Sequence, residues 1–343
     1  MQIPMKGSGS SAPDREPMKA NTALWWGIGV SFVITVAIAL LGWRLEAIRL
    51  LPDQGVAWYY WQLPEPTFWS KLTSWGFYIA HQLAIWYLIY RAQQERPKYT
   101  GGLHWFNIWA LVVNGFFGVL HVVQTHLFYD GLAQDVSIFS SQGSVIVLLV
   151  LILIMENPRR GMFWGKKAPL SKQVVDFVRK YHGYFFAWAI IYTFWYHPAI
   201  ATAGHLLGFF YTYLLMLQGS LFFTRAHLNK WWTFTLEFLV LVHGAIVAVL
   251  QGNGIWPMFA FGFGGILIIT QMHGLGLKNW TKWVILGLYC AAVLWVYSDR
   301  GWAKLNEIIR IPLIDYVLVF ALTGLIWLGL WVAGRVNPKL RSA

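Results

Sequence analysis

Sulfur chemistry is almost missing from this chain: one cysteine, Cys290, stands in 343 residues. A lone thiol excludes an internal disulfide, a CxxC redox pair and a cysteine-held iron–sulfur cluster. Charge is scarce too, at 12% Asp, Glu, Lys and Arg, about half of what a soluble domain carries. Several signatures are absent: HExxH, HxxxH, HxxHH, CxxCH and GxxxxGK[ST]. Their absence removes the zincin, desaturase-type di-iron, c-type haem and P-loop chemistries. The FGFGG run at 261–265 misses the dinucleotide fingerprint, because Leu267 occupies its last glycine position. It reads instead as small-residue helix packing, as do Gly324, Gly329 and Gly334.

What is present is apolar length. The chain is 57% hydrophobic with 22 tryptophans, and its apolar runs are about 20 residues long, enough to cross a ~30 Å hydrocarbon layer. Hydropathy predicts an all-α, polytopic membrane bundle of about ten spans, at roughly 22–43, 69–90, 103–129, 137–156, 182–201, 205–224, 231–250, 256–276, 280–298 and 311–334. Residues 21–335 then form a single transmembrane domain. A disordered N-terminus (1–20) and a short tail (336–343) flank it. The first span lacks a small-residue cleavage site and reads as a retained helix.

A net charge of +12 invites a nucleic-acid reading, but its placement argues against one. Arg91, Arg96 and Lys98 follow the second span. Arg159, Arg160, Lys166, Lys167, Lys172, Arg179 and Lys180 follow the fourth, and Arg225 and Lys230 the sixth. Of the intervening connections, those after the third, fifth and seventh spans carry little charge, and only those at 44–68 and 299–310 mix the two signs. This alternation predicts cytoplasmic termini in an inner (plasma) membrane, with anionic lipid as the neighbour and no nucleic-acid partner. A short amphipathic helix is predicted at 171–181. Residues 44–68 read as a segment lying in the outer interface.

Ten histidines remain to be explained. His104, His182, His227 and His273 fall at the basic side, where interfacial histidines need no special account. His81, His121, His126, His197, His205 and His243 fall at mid-depth or in the non-cytoplasmic half. An ionisable ring in hydrocarbon is costly and marks a functional site by default. At 100° per residue, Asn114, Gly118, His121 and Thr125 form one polar stripe on the third span. His126 lies about 140° away from His121 around the same helix. His197 and His205 flank a tight turn, HPAIATAGH, in which Pro198 ends a helix.

Neutral imidazole suits Zn, Cu and Fe. The six histidines are therefore candidate ligands for a metal ion, iron foremost, or for haem. Two stacked haems fit less well, because His104 and His121 are about 100° out of register. For each ring alone, the plain alternative is an interhelical hydrogen bond. Glu237, deep in the seventh span, and Asp130, on a polar rim (YDGLAQDVSIFSSQG), are the candidate catalytic residues.

The function these features predict is a metal-dependent membrane oxidoreductase. Its substrate would be hydrophobic, such as an isoprenoid, carotenoid, fatty acyl chain or quinone. The alternatives are a proton-coupled transporter with a His/Glu relay, and a cofactor-bearing subunit of a respiratory or photosynthetic membrane complex.

Overall fold

The computed structural model describes residues 18–52, 54 and 61–336. Residues 1–17 of the predicted disordered N-terminus, most of the predicted tail and part of the 44–68 segment lie outside the described residues. Residues 18–20, also expected to be disordered, are instead ordered by backbone bonds to Gly101 and Leu103, with Ala20 opening the first helix. Ten α-helices account for most of the chain, and no strand occurs among the described residues. They are α1 (Ala20–Leu41), α2 (Phe68–Glu95), α3 (Trp105–Phe128), α4 (Ile138–Arg160), α5 (Lys172–Tyr196), α6 (Ala203–Ser220), α7 (Lys230–Leu250), α8 (Trp256–Ile269), α9 (Asn279–Arg300) and α10 (Glu307–Val336). Among the described residues, six segments are long and apolar enough to cross a membrane: α1, α3, α4, α7, α9 and α10, with short extensions of α1 and α10.

The helices are inside-out by the standards of a soluble protein. On α3 the exposed face is Val112, Phe116, Val119 and Val123, while Asn107, His121, Gln124 and Thr125 are buried. Apolar atoms outward and polar groups inward is the arrangement lipid enforces, since hydrocarbon offers a polar group no partner.

Helices α2, α3, α6 and α5 surround the largest core cluster, which includes Phe117, Trp195 and Phe209. α5 also packs on α4, and α4 on α10; α8 bridges α7 and α10, and α9 leans on α8 alone among its stronger contacts. The chain edge before α1 and the α2–α3 and α6–α7 connections meet at one end. There Ala20 N–H donates to Gly101 O (2.8 Å) and Arg225 N–H to Thr100 O (2.8 Å). This is the basic end. The α3–α4 and α5–α6 turns lie at the other, the histidine end, where Ala199 N–H donates to Thr125 Oγ1 (2.8 Å).

Three departures from the sequence expectations have local causes. The amphipathic stretch 171–181 is not a separate helix but the first turns of α5, which bury Val174, Val175 and Val178. No proline interrupts it before Pro198, so the helix runs on. The eighth apolar run stops at Ile269, after only 14 residues. The polar Thr270 there bonds to Met162 O (2.7 Å) and Tyr316 Oη (2.8 Å), inside the protein and away from lipid. Small-residue packing holds for Gly262, against Ile311, and for Gly264, against Tyr289, but not for Gly324 or Gly329, which face open space.

Candidate functional site at the histidine end

The polar stripe of α3 is the interior face, and each of its members meets a different partner. Asn114 Nδ2 donates to Ser220 Oγ (2.8 Å), Gly118 lies against Tyr213, and Thr125 holds the α5–α6 turn. His81 joins this face from α2. Its Nε2–H donates to Asn114 Oδ1 (2.8 Å), while its Nδ1 accepts from Trp195 Nε1–H (3.2 Å). The ring stacks on Phe117 at 4.4 Å. Both nitrogens are thus committed, and the chain Trp195–His81–Asn114–Ser220 pins α5, α2, α3 and α6 together. His81 is a strut of the bundle in this arrangement.

His121 is different. It is fully buried, and neither ring nitrogen meets a hydrogen-bond partner in good geometry, although the His197 backbone lies beside the ring. Phe194 (4.4 Å), Trp195 (4.6 Å) and Phe209 (5.6 Å) surround the ring. A buried polar group left in this condition costs about 1–3 kcal/mol. Of the six candidates, it carries the strongest signal of a missing ligand.

The α5–α6 turn does what its sequence promised. The His197 and His205 rings stand 5.5 Å apart, centroid to centroid, at 76°. His197 Nδ1–H donates to Thr193 O (2.9 Å), and His205 Nδ1 bonds to Thr202 Oγ1 (2.7 Å). Tying Nδ1 to the protein fixes the orientation and tautomer of an imidazole, as it does for ligating histidines. Trp61 packs edge-on to His205 at 4.3 Å. From α7, His243 turns its Nε2 towards Gly208, one turn along α6 from His205.

His126 goes elsewhere: its Nδ1 bonds to Val122 O (2.8 Å) and its Nε2 to Leu41 O (3.3 Å), tying the end of α3 to the end of α1. The structure thus gathers His197 and His205, with His121 and His243 on neighbouring faces, and assigns His81 and His126 to helix contacts. Among the described residues, no three His, Cys, Asp or Glu side chains form a group that could hold a metal ion. The cluster is a close pair with two flanking rings, not a closed shell. The four histidines of the basic side are accounted for locally, as when His182 Nδ1 bonds to Arg179 O (2.7 Å) and His227 Nδ1 to Gln218 O (2.9 Å).

The rim 129–137 is both a plug and a helix start. Ser137 caps α4 through Phe139 N–H (3.3 Å), while Leu132 and Ala133 are buried. Gly131 sits where a Cβ would come within 2.6 Å of Tyr196 O, so only glycine lets the rim lie this close to α5. Asp130 is buried beside it, accepting Gly131 N–H at 2.8 Å through Oδ1. Burial pushes its carboxyl up from 3.8 to about 6, against smaller pulls from Ser70 and the Gly131 amide.

A raised carboxyl favours folding while it is protonated in both states, and that contribution disappears as pH rises through the folded value. Asp130→Asn is therefore expected to match the wild type near pH 4. Above pH 6 it should be the more stable of the two by roughly 2–3 kcal/mol. Thermal unfolding across this range measures the difference, and a variant that loses stability at pH 7 contradicts it.

Glu237 precedes His243 on α7 but makes its bonds to arginine, not to a histidine. Arg160 Nη1 donates to both of its carboxylate oxygens, at 2.8 and 2.6 Å, with the Arg160 side chain 2% exposed. A small cavity beside this pair is also lined by Asp315 and Gln271. Asp315 is buried with its Oδ2 unpartnered. The sequence pattern singles out Glu237 as the only deep acid, yet Asp315 is one as well. It was hidden because it sits near the start of the last apolar run, where an acid passes for interfacial. Arg160 was hidden among the topogenic basic residues.

No family model matches this chain, and no curated protein or solved structure matches it either.

Proposed function

We propose that the protein is an integral-membrane oxidoreductase that works at its histidine end. The metal ion would be taken by the His197–His205 pair, with His121 or His243 turning in to complete the set. The observation that carries this reading is the combination of His121, buried with neither nitrogen in a well-formed hydrogen bond, and the His197–His205 pair oriented through Nδ1. Neutral, pre-oriented imidazoles suit iron, copper or zinc. A metal there supplies Lewis-acid or redox chemistry, and the aromatic surround of Phe194, Trp195, Phe209 and Trp61 keeps water away.

The same rings favour a hydrophobic substrate that reaches the site laterally from the bilayer. Asp130, on the rim above, is a buried acid at that end, its carboxyl raised to about 6 by burial. By the positive-inside rule the basic end faces the cytoplasm and the histidine end faces away, in a plasma membrane.

Metal content and an absorption spectrum of the purified, tag-free protein test this reading. A stoichiometric ion is expected, and His197→Ala/His205→Ala should lose it. A Soret band lost in the same variant would identify haem as the group. A second reading, proton-coupled transport, is favoured by one observation: Asp315 and the Arg160–Glu237 pair share a buried cavity, and buried intramembrane acids mark proton paths. Under it the pure protein carries no metal.

A further inference from the structure

At the basic end a cavity of about 480 Å³ opens between the α4–α5 connection and the start of α9. Its size is that of a small-molecule pocket. Lys166, Lys167, Lys282 and His273 line it together with Trp164 and Trp283, and none of its lining residues is acidic. Arg159 and Arg160 also border it, but they are already paired, with Glu156 and Glu237. Among the described residues, no ion pair engages Lys166, Lys167 or Lys282.

The lysines are carried on a built element. Met162 N–H donates to Lys166 O (2.8 Å) and Lys166 N–H to Phe163 O (2.9 Å), closing a hairpin after α4. Asn157 clamps it, donating to Ala168 O and accepting from Ala168 N–H, both at 2.9 Å. Trp164 N–H fixes it to Ile269 O (2.7 Å). Gly161, at φ +75°, permits the closure, because a Cβ there would meet the Gly165 carbonyl at 2.4 Å.

Across the cavity, Asn279 opens α9, whose N-cap, Lys278, makes no side-chain bond to the first turn. The unsatisfied N–H groups of that turn and the positive end of the helix dipole favour an anion. The Trp164 and Trp283 rings stand 5.2 Å apart, and Trp283 is 61% exposed, as expected at a water–membrane boundary.

Topology alone asks for positive charge on this side, but not for a clamped hairpin, a cavity without acids and an uncapped helix start converging on one point. We propose that this cavity binds a phosphate-bearing anion at the membrane surface. Lys166, Lys167, Lys282 and the first turn of α9 would hold the phosphate, and the two tryptophans the less polar remainder. The chemistry is shared by an anionic phospholipid headgroup and by a soluble phosphate.

Native mass spectrometry tests this on the full-length protein released from micelles. One arm contains phosphatidylglycerol, one phosphatidylcholine, and one inorganic phosphate without anionic lipid. Retention of phosphatidylglycerol over phosphatidylcholine is expected, with about 100-fold weaker retention in Lys166→Gln/Lys167→Gln/Lys282→Gln. Phosphate binding that is lost in the same variant, without lipid selectivity, supports the site and identifies a soluble ligand. A control, Lys98→Gln/Lys172→Gln/Lys180→Gln, removes as much charge from the same end outside the cavity. Equal weakening in the control overturns the proposal, as does absence of binding in every arm.

Discussion

Glu237→Ala is expected to lower the unfolding free energy by about 3–5 kcal/mol, because it strips a buried arginine of its counter-charge. Arg160 donates to both Glu237 oxygens, while its Nε and Nη2 find no other partner. Removing the carboxylate leaves a guanidinium that is only 2% exposed without its counter-charge. The pair need not be strongly stabilising for this to hold, since bringing two ions into a low-dielectric interior consumes most of their attraction. Arg160→Met/Glu237→Leu, which removes both charges and keeps the volume, should therefore lose far less than the single variant. Reversible unfolding in mixed micelles measures both. A single variant as stable as the double would mean that water reaches Arg160.

His81→Ala is expected to cost about 2–4 kcal/mol while leaving any bound metal in place. Hydrogen bonds between membrane helices average only about 0.6 kcal/mol, because an unfolded chain in lipid also finds partners. The bonds to Asn114 and Trp195 therefore supply the smaller share. The larger share comes from the hole left beside Phe117, Phe194 and Trp195 when a fully buried ring is removed. His81→Phe refills the hole and should recover most of the stability. If His81→Ala instead releases metal from a folded protein, His81 is a ligand and its assignment as a strut fails.

How much of this was legible beforehand differs from residue to residue. The face of α3 that carries Asn114, His121 and Thr125 follows from the 3.6-residue period alone, and so does the divergence of His126. The meeting of His197 and His205 follows from a proline-bent turn of eight positions. The commitment of His81 does not, because its partners, Asn114 and Trp195, come from two other helices. Periodicity gives the face of a helix but not its register against a neighbour. Asp315 and Arg160 were illegible for a related reason: depth inferred from hydropathy treats acids and bases near the ends of apolar runs as wet. Here α10 packs on α8 and α4, and the 161–170 hairpin folds against the end of α8, so both side chains are covered by protein.

The commitment of Glu237 to Arg160 reshapes the functional alternatives. A relay running directly from imidazole to Glu237 has no continuous path among the hydrogen bonds described above. Acid chemistry concentrates towards the basic end, at Asp315 and Glu237, and imidazole chemistry at the other, with Asp130 as its nearest buried acid. The two ends are therefore separable by mutation.

The most direct test of the central claim is metal analysis of tag-free, folded protein, wild type beside His197→Ala/His205→Ala. The account predicts close to one transition-metal ion per chain in the wild type and almost none in the variant. A folded wild type with neither metal nor haem, or a variant that keeps its full complement, contradicts it.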